Sequence, residues 1–271
     1  MNKYSLVFII IIVLILFIYR NEKCKVNEKF TGISNKQIPK IIIQTWKDDQ
    51  IPGKYYNDVE SVIKKNSDYK YLFFTDKNID DFLMNNYSNY YSSYKKLPLK
   101  IQQIDYFRYI VIYHYGGFYF DLDIFCHESF NDLLKYNCVF PVDTNLYNSD
   151  CSKDRITYYC DNKLLKINYL LGQYAFGATQ NNEFIKYIID GIHNNIDNYI
   201  KQYNDLMNDT KLNNDEKKVK KEYYVYKSTG PDYITEKYLT FNNKQNIHIL
   251  KHHRNQQFGK YAVHNHYGTW K

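Results

Sequence analysis

The sequence predicts an α/β fold. Three observations carry that expectation: a β-branched run at residues 38–46 (IPKIIIQTW), a second apolar run at 69–75 (YKYLFFT), and a helical pattern at 101–115 that breaks at Gly116-Gly117 into an aromatic strand. Residues 59–66 leave room for a helix between the first two runs, and strand, helix, strand order builds sheets covered by helices.

The first segment stands outside that domain. Residues 6–19 (LVFIIIIVLILFIY) carry no charge and, as a helix rising about 1.5 Å per residue, span roughly 21 Å. A hydrocarbon core is about 30 Å thick, and Lys3 and Arg20 can extend the span by reaching toward the headgroups. No small-residue cleavage site follows, since the next residues are Arg20-Asn21-Glu22-Lys23-Cys24. Residues 1–20 are therefore expected to remain as a single-pass membrane anchor, 21–37 to form a polar stalk and 38–271 to form the folded domain. Arg20, Lys23 and Lys25 outnumber Lys3, so the positive-inside rule keeps the stalk side cytoplasmic.

Within the domain, 38–46 has the branched residues of a buried strand, and 69–75 is its partner. Residues 76–84 open a helix that Thr75 or Asp76 can cap. Residues 211–221 (KLNNDEKKVKK) are charged without an apolar face, which reads as a solvated surface and not as a nucleic-acid patch. The 31 Tyr, 16 Phe and 2 Trp exclude an intrinsically disordered chain. The net charge of +7 comes almost wholly from Lys, because Arg occurs only at 20, 108, 155 and 254, and this makes Arg108 conspicuous. Five cysteines form no CxxC pair, which leaves a zinc ribbon without support, while Cys151 and Cys160 can close a short loop in an oxidising compartment.

The chemistry concentrates at 101–125. On a helix, Ile101, Ile104, Val111, Ile112 and Tyr115 share one face with Asp105 and Arg108. Charges on an apolar face are costly unless paired with each other or with a ligand, and position alone leaves those two readings open. After the glycines, FYFDLDIF at 118–125 reads as a strand whose alternation turns Asp121 and Asp123 to one face and Leu122 to the other. Two neighbouring carboxylates are hard oxygen ligands suited to Mn²⁺ or Mg²⁺ carrying a diphosphate.

Residues 104–123 (IDYFRYIVIYHYGGFYFDLD) resemble the core signature of a glycosyltransferase family that includes initiation-specific α-1,6-mannosyltransferases, inositol-phosphoceramide mannosyltransferases, capsular sugar transferases and the large clostridial glucosylating toxins. The resemblance extends to 38–46, to 69–79 (YKYLFFTDKNI), to Thr229-Gly230-Pro231 and to 264–270 (HNHYGTW). It implies a GT-A fold, a Rossmann-like mixed sheet flanked by helices, that moves a hexose from a nucleoside-diphosphate sugar with retention of configuration. Mannose is the favoured sugar, the donor being GDP- or UDP-linked and the acceptor a glycan or a sphingolipid-type molecule. It also implies roles for residues: Asp123 on the metal, Asp121 on ribose or a metal-bound water, and Asp105 and Arg108 on donor hydroxyls. Trp46 would stack on the base, Gly230 would line the donor, and Trp270 would close over the diphosphate. His264, with His266 as the alternative, would be a further metal ligand. Ile43 stands where the family commonly has His. The family likeness further implies a domain in the lumen of the secretory pathway, opposite to the orientation the flanking charges favour. A phosphoester hydrolase using the same two aspartates and an inactive carbohydrate-binding membrane protein are the competing functional classes.

Overall fold

The computed structural model describes residues 37–146, 169–254 and 256–268. The expected anchor, the stalk as far as residue 36, Cys151, Cys160 and Trp270 lie outside the described residues, and no described helix is long and apolar enough to cross a membrane.

The domain begins with β1 (Ile41–Thr45), α1 (Tyr56–Lys65) and β2 (Lys70–Phe74). The strands pair in parallel with Ile41 opposite Lys70 and Thr45 opposite Phe74, which is the predicted strand, helix, strand unit. Next come α2 (Asp76–Asn86), α3 (Ser88–Lys96) and α4 (Lys100–Tyr115). Thr75 starts α2 through a capping box: its hydroxyl accepts from the Asn78 N–H, and the Asn78 side chain accepts from the Thr75 N–H, both at 3.3 Å. The chain continues through β3 (Gly117–Phe120), β4 (Ile124–Cys126), β5 (Cys138–Asn145), β6 (Tyr169–Leu171) and β7 (Ala175–Ala178). It then forms α5 (Glu183–Asn194), α6 (Ile196–Asn208), α7 (Asn214–Ser228) and α8 (Pro231–Thr240), and ends with β8 (Ile247–Leu250) and β9 (Ala262–His264).

Seven of the described strands form one mixed sheet in the order β2-β1-β3-β7-β5-β6, with β8 alongside β5. β3 is parallel to β1 and antiparallel to β7, so it occupies the middle of the sheet. Alternation sends Ile43, Tyr119 and Phe176 to the core beneath the α2, α3, α4 and α5 layer, and Ile42, Phe118, Phe120 and Ala175 to a second core shared with β4, Phe130 and Phe258.

Two local expectations need correcting. First, α4 is not an amphipathic helix with a single apolar face. Tyr106, Phe107, Tyr109, Ile110, Val111 and Ile112 are all fully buried, because α4 lies between the sheet and the outer helices. Second, the strand does not run through 118–125. It leaves the sheet after Phe120, where Leu122 turns to pack with Tyr55 and Val59 beside Trp46, and β4 pairs with β9 in a separate two-stranded sheet. Asp121 and Asp123 therefore sit on a turn.

Gly117 permits the close approach of β3 to β1. Its φ is +96°, and a Cβ there would lie 2.4 Å from the Ile41 carbonyl oxygen. Gly117→Ala is expected to cost at least about 1–3 kcal/mol from backbone strain alone, read as a lower midpoint in urea unfolding. An unchanged midpoint would contradict this packing.

Candidate functional site

The site forms where β3 ends, between the C-terminal ends of β1 and β3, α4 and the segment after β9. Arg108, from the middle of α4, is 2% exposed and reaches back under the turn. Its Nη2 lies 3.2 Å from Asp105 Oδ1 and 3.3 Å from Asp121 Oδ1, its Nη1 donates to the Gln173 carbonyl at 3.0 Å, and its guanidinium lies 4.7 Å from the Tyr119 ring centre. Asp105 is fully buried and accepts from Gln173 Nε2 at 2.9 Å and from the Thr229 hydroxyl at 2.8 Å. The charged pair is thus not a salt bridge closed on itself, since Arg108 couples Asp105 to the first aspartate of the turn.

Burial pushes the Asp105 carboxyl up to about 6, against the opposing pull of Arg108, Thr229 and Gln173. The stability linked to its protonation is fully present below the ordinary carboxyl range near 3.8 and is lost as pH rises through about 6. Relative to Asp105→Asn, the wild-type chain should therefore lose on the order of 2–3 kcal/mol between pH 4 and pH 7. Urea unfolding of both proteins across that range checks this, and a constant gap would contradict it.

Asp121 Oδ1 also accepts from the Tyr119 hydroxyl at 3.1 Å, and that hydroxyl lies 3.0 Å from Thr45 Oγ1. Burial raises the Asp121 pKa, with Arg108 opposing and Asp123 adding to the rise. Asp123 behaves differently. Its Oδ1 lies 3.3 Å from His264 Nε2, its Oδ2 accepts from the Tyr267 N–H at 3.0 Å, and its carbonyl accepts from the Asn265 N–H at 2.9 Å. Burial opposes ionisation there, but the His264 and Tyr267 contacts outweigh it and hold the carboxyl below its usual value. One ligand atom each from Asp121, Asp123 and His264 lie within 4.8 Å of one another. The His264 ring stacks on Tyr174 at 4.3 Å and lies 3.9 Å from the His266 ring, whose residue has a left-handed φ of 52°.

Trp46 directly follows β1 and meets Tyr55 edge-on at 5.2 Å. Its Nε1 is buried without a hydrogen-bond partner, as are Arg108 Nε and His264 Nδ1. Such atoms are rare in folded proteins, and these three belong to residues surrounding the turn, while the Tyr106 hydroxyl, likewise unpartnered, lies in the core. Gly230 stands at the N-terminus of α8, where a Cβ would lie 2.8 Å from the Tyr226 Cα, so it permits the close packing of α7 and α8.

Sequence reasoning did not identify Gln173, the Thr229 hydroxyl or Asp58. Gln173 and Thr229 lie 68 and 124 residues from Asp105, so no local spacing announces them. The Thr-Gly-Pro motif was the one available pointer to Thr229.

Residues 52–140 match the model of the glycosyltransferase sugar-binding region containing a DXD motif. This stretch belongs to that family. The matched region contains α1, α4, β3 and the Asp121-Leu122-Asp123 turn. Over 122 residues, 44% of the chain, the protein is 36% identical to inositol phosphoceramide mannosyltransferase 3 of Schizosaccharomyces pombe, of which 34% is covered. Over 102 residues, 35% of the chain, it is 32% identical to initiation-specific alpha-1,6-mannosyltransferase of Candida albicans, of which 26% is covered. The matches thus span about a third or less of those curated relatives. Among solved structures, the PaToxG glycosyltransferase aligns with a TM-score of 0.48 and 18% identity over 74% of this chain and 69% of that one.

Proposed function

We propose that the chain is a metal-dependent, retaining glycosyltransferase of the GT-A type, moving a hexose from a nucleoside-diphosphate sugar to a glycan or sphingolipid-type acceptor. The observation that carries this reading is the convergence of Asp121, Asp123 and His264 within 4.8 Å, on a turn inside the DXD family region. The relatives named above are mannosyltransferases, one acting on inositol phosphoceramide by its name, so mannose is the first sugar to test. Residues 6–19 would hold the enzyme at a secretory membrane.

The donor set fits a divalent ion. Two carboxylates and an imidazole supply oxygen and nitrogen ligands of the kind Mn²⁺ accepts, with Mg²⁺ as the alternative. Bound there, the ion would supply Lewis-acid neutralisation of a leaving diphosphate. The chain supplies the rest. Arg108 is held by Asp105, Gln173 and Tyr119 so that its charge is fixed beneath the turn, and a prearranged cation next to a forming anion costs little reorganisation. Asp105 and Arg108 would address donor hydroxyls from this frame. Trp46 offers an aromatic face for the base, and Trp270 follows the His264 segment in sequence as a cover for the diphosphate. In a front-face reaction the sugar C1–O(phosphate) bond breaks as the acceptor C1–O bond forms. The acceptor proton passes to the departing phosphate oxygen, so no side-chain base is required.

Incubating the detergent-solubilised full-length chain with GDP- and UDP-hexoses and Mn²⁺ tests the reading. Release of free hexose from one donor, mannose from GDP-mannose first, is the expected result. Failure to cleave any donor while binding sugar would instead favour a carbohydrate-binding protein, and cleavage of simple phosphoesters would favour a hydrolase.

A further inference from the structure

Asp58 lies in the first turn of α1 and is buried. Its Oδ1 accepts from Asn265 Nδ2 at 2.9 Å, across 207 residues of chain. Burial and, to a smaller extent, the Asp123 charge raise its pKa, against the Asn265 amide and the Tyr267 hydroxyl. A position that disfavours a carboxylate therefore holds one, and its contacts lead to the segment after β9. In that segment the Asn265 and Tyr267 N–H groups donate to the Asp123 carbonyl and carboxylate, and His264 faces Asp123. Tyr267 also meets Tyr55, at the start of α1, with ring centres 5.5 Å apart.

We infer that Asp58 is a positioning residue, which clamps the 264–267 segment through Asn265 so that His264 and Asp123 are presented together as metal donors. The inference rests on the metal-dependent reading above. An acid in the first turn also complements the helix dipole, but that role would act on the stability of α1 and not on the 264–267 segment.

Two readouts on the full-length chain separate these roles: hydrogen exchange of the Asn265 and Tyr267 amides without metal, and titration with Mn²⁺ followed by its paramagnetic resonance. Asp58→Ala is expected to speed exchange of both amides at least about tenfold and to weaken Mn²⁺ binding roughly 10-fold to 100-fold, as removal of a partner behind a metal ligand does. Asp58→Asn keeps an acceptor oxygen for Asn265 and should retain both properties. Asn265→Ala removes the clamp from its exposed side, should reproduce the Asp58→Ala effect, and decides the matter if Asp58→Ala fails to fold. Unchanged exchange in Asn265→Ala, or equal losses in Asp58→Asn and Asp58→Ala, would overturn the inference. If the wild-type chain binds no Mn²⁺ while exchange responds as expected, the metal reading fails and the clamp stands.

Discussion

Asp123→Asn is expected to reduce Mn²⁺ affinity by roughly 100-fold or more and to abolish donor cleavage, with the fold retained. Removing even an outer partner of a metal ligand costs roughly 10-fold to 100-fold, and the loss of a charged ligand should be at least as severe. The fold should survive because an asparagine oxygen can still accept from the Tyr267 N–H, and the bond from Asn265 reaches the main chain of residue 123. The pairing with His264 is weakened, which should cost about 1 kcal/mol of stability. Circular dichroism together with metal titration checks both halves. Full activity in this variant would remove the metal from the mechanism.

Arg108→Ala should be far more damaging to the fold. It removes the cation from between Asp105 and Asp121 and leaves a fully buried carboxylate uncompensated. Breaking such a pair from one side costs about 3–5 kcal/mol, which for a domain of this size lowers the melting temperature by roughly 6–20 °C. Loss of activity in this variant would therefore not by itself assign Arg108 a role toward the donor. Arg108→Lys separates the two contributions. It keeps the positive charge but not the planar fork that reaches Asp105, Asp121 and the Gln173 carbonyl together. Turnover should fall at least about tenfold while much of the lost stability returns, and turnover that follows stability alone would confine Arg108 to packing.

Much of this was readable along the chain. β1, α1, β2, α2 and α4 lie close to where their local patterns put them, since each carries its own signal: branched residues for β1, a capping threonine for α2, the Gly-Gly break after α4. The turn at 121–123 was not readable. Alternation was extended past Phe120, but the burial of Leu122 with Tyr55 and Val59 is a tertiary contact that bends the chain out of the sheet. The apolar stripe expected on α4 was too narrow for a related reason. A helix covered by a sheet on one side and helices on the other needs apolar residues all round, and periodicity then carries little information. At the site, Asp105, Arg108, Asp121 and Asp123 lie within 19 residues of sequence and stood out as unusual charges. Gln173, Thr229, Asn265 and Asp58 hold those groups from distant positions; Thr229 and Asn265 fall in stretches that resemble the family, but nothing local distinguishes Gln173 and Asp58 from any surface polar residue.

The central claim is that nucleotide-sugar cleavage depends on a metal held by Asp121, Asp123 and His264. The most direct measurement is donor cleavage by the full-length chain, first stripped with a chelator and then resupplied with Mn²⁺. The account predicts no cleavage by the stripped protein, recovery on adding Mn²⁺, and no recovery in Asp123→Asn. Cleavage that proceeds equally with and without the ion, or that Mn²⁺ restores equally in Asp123→Asn, would contradict it.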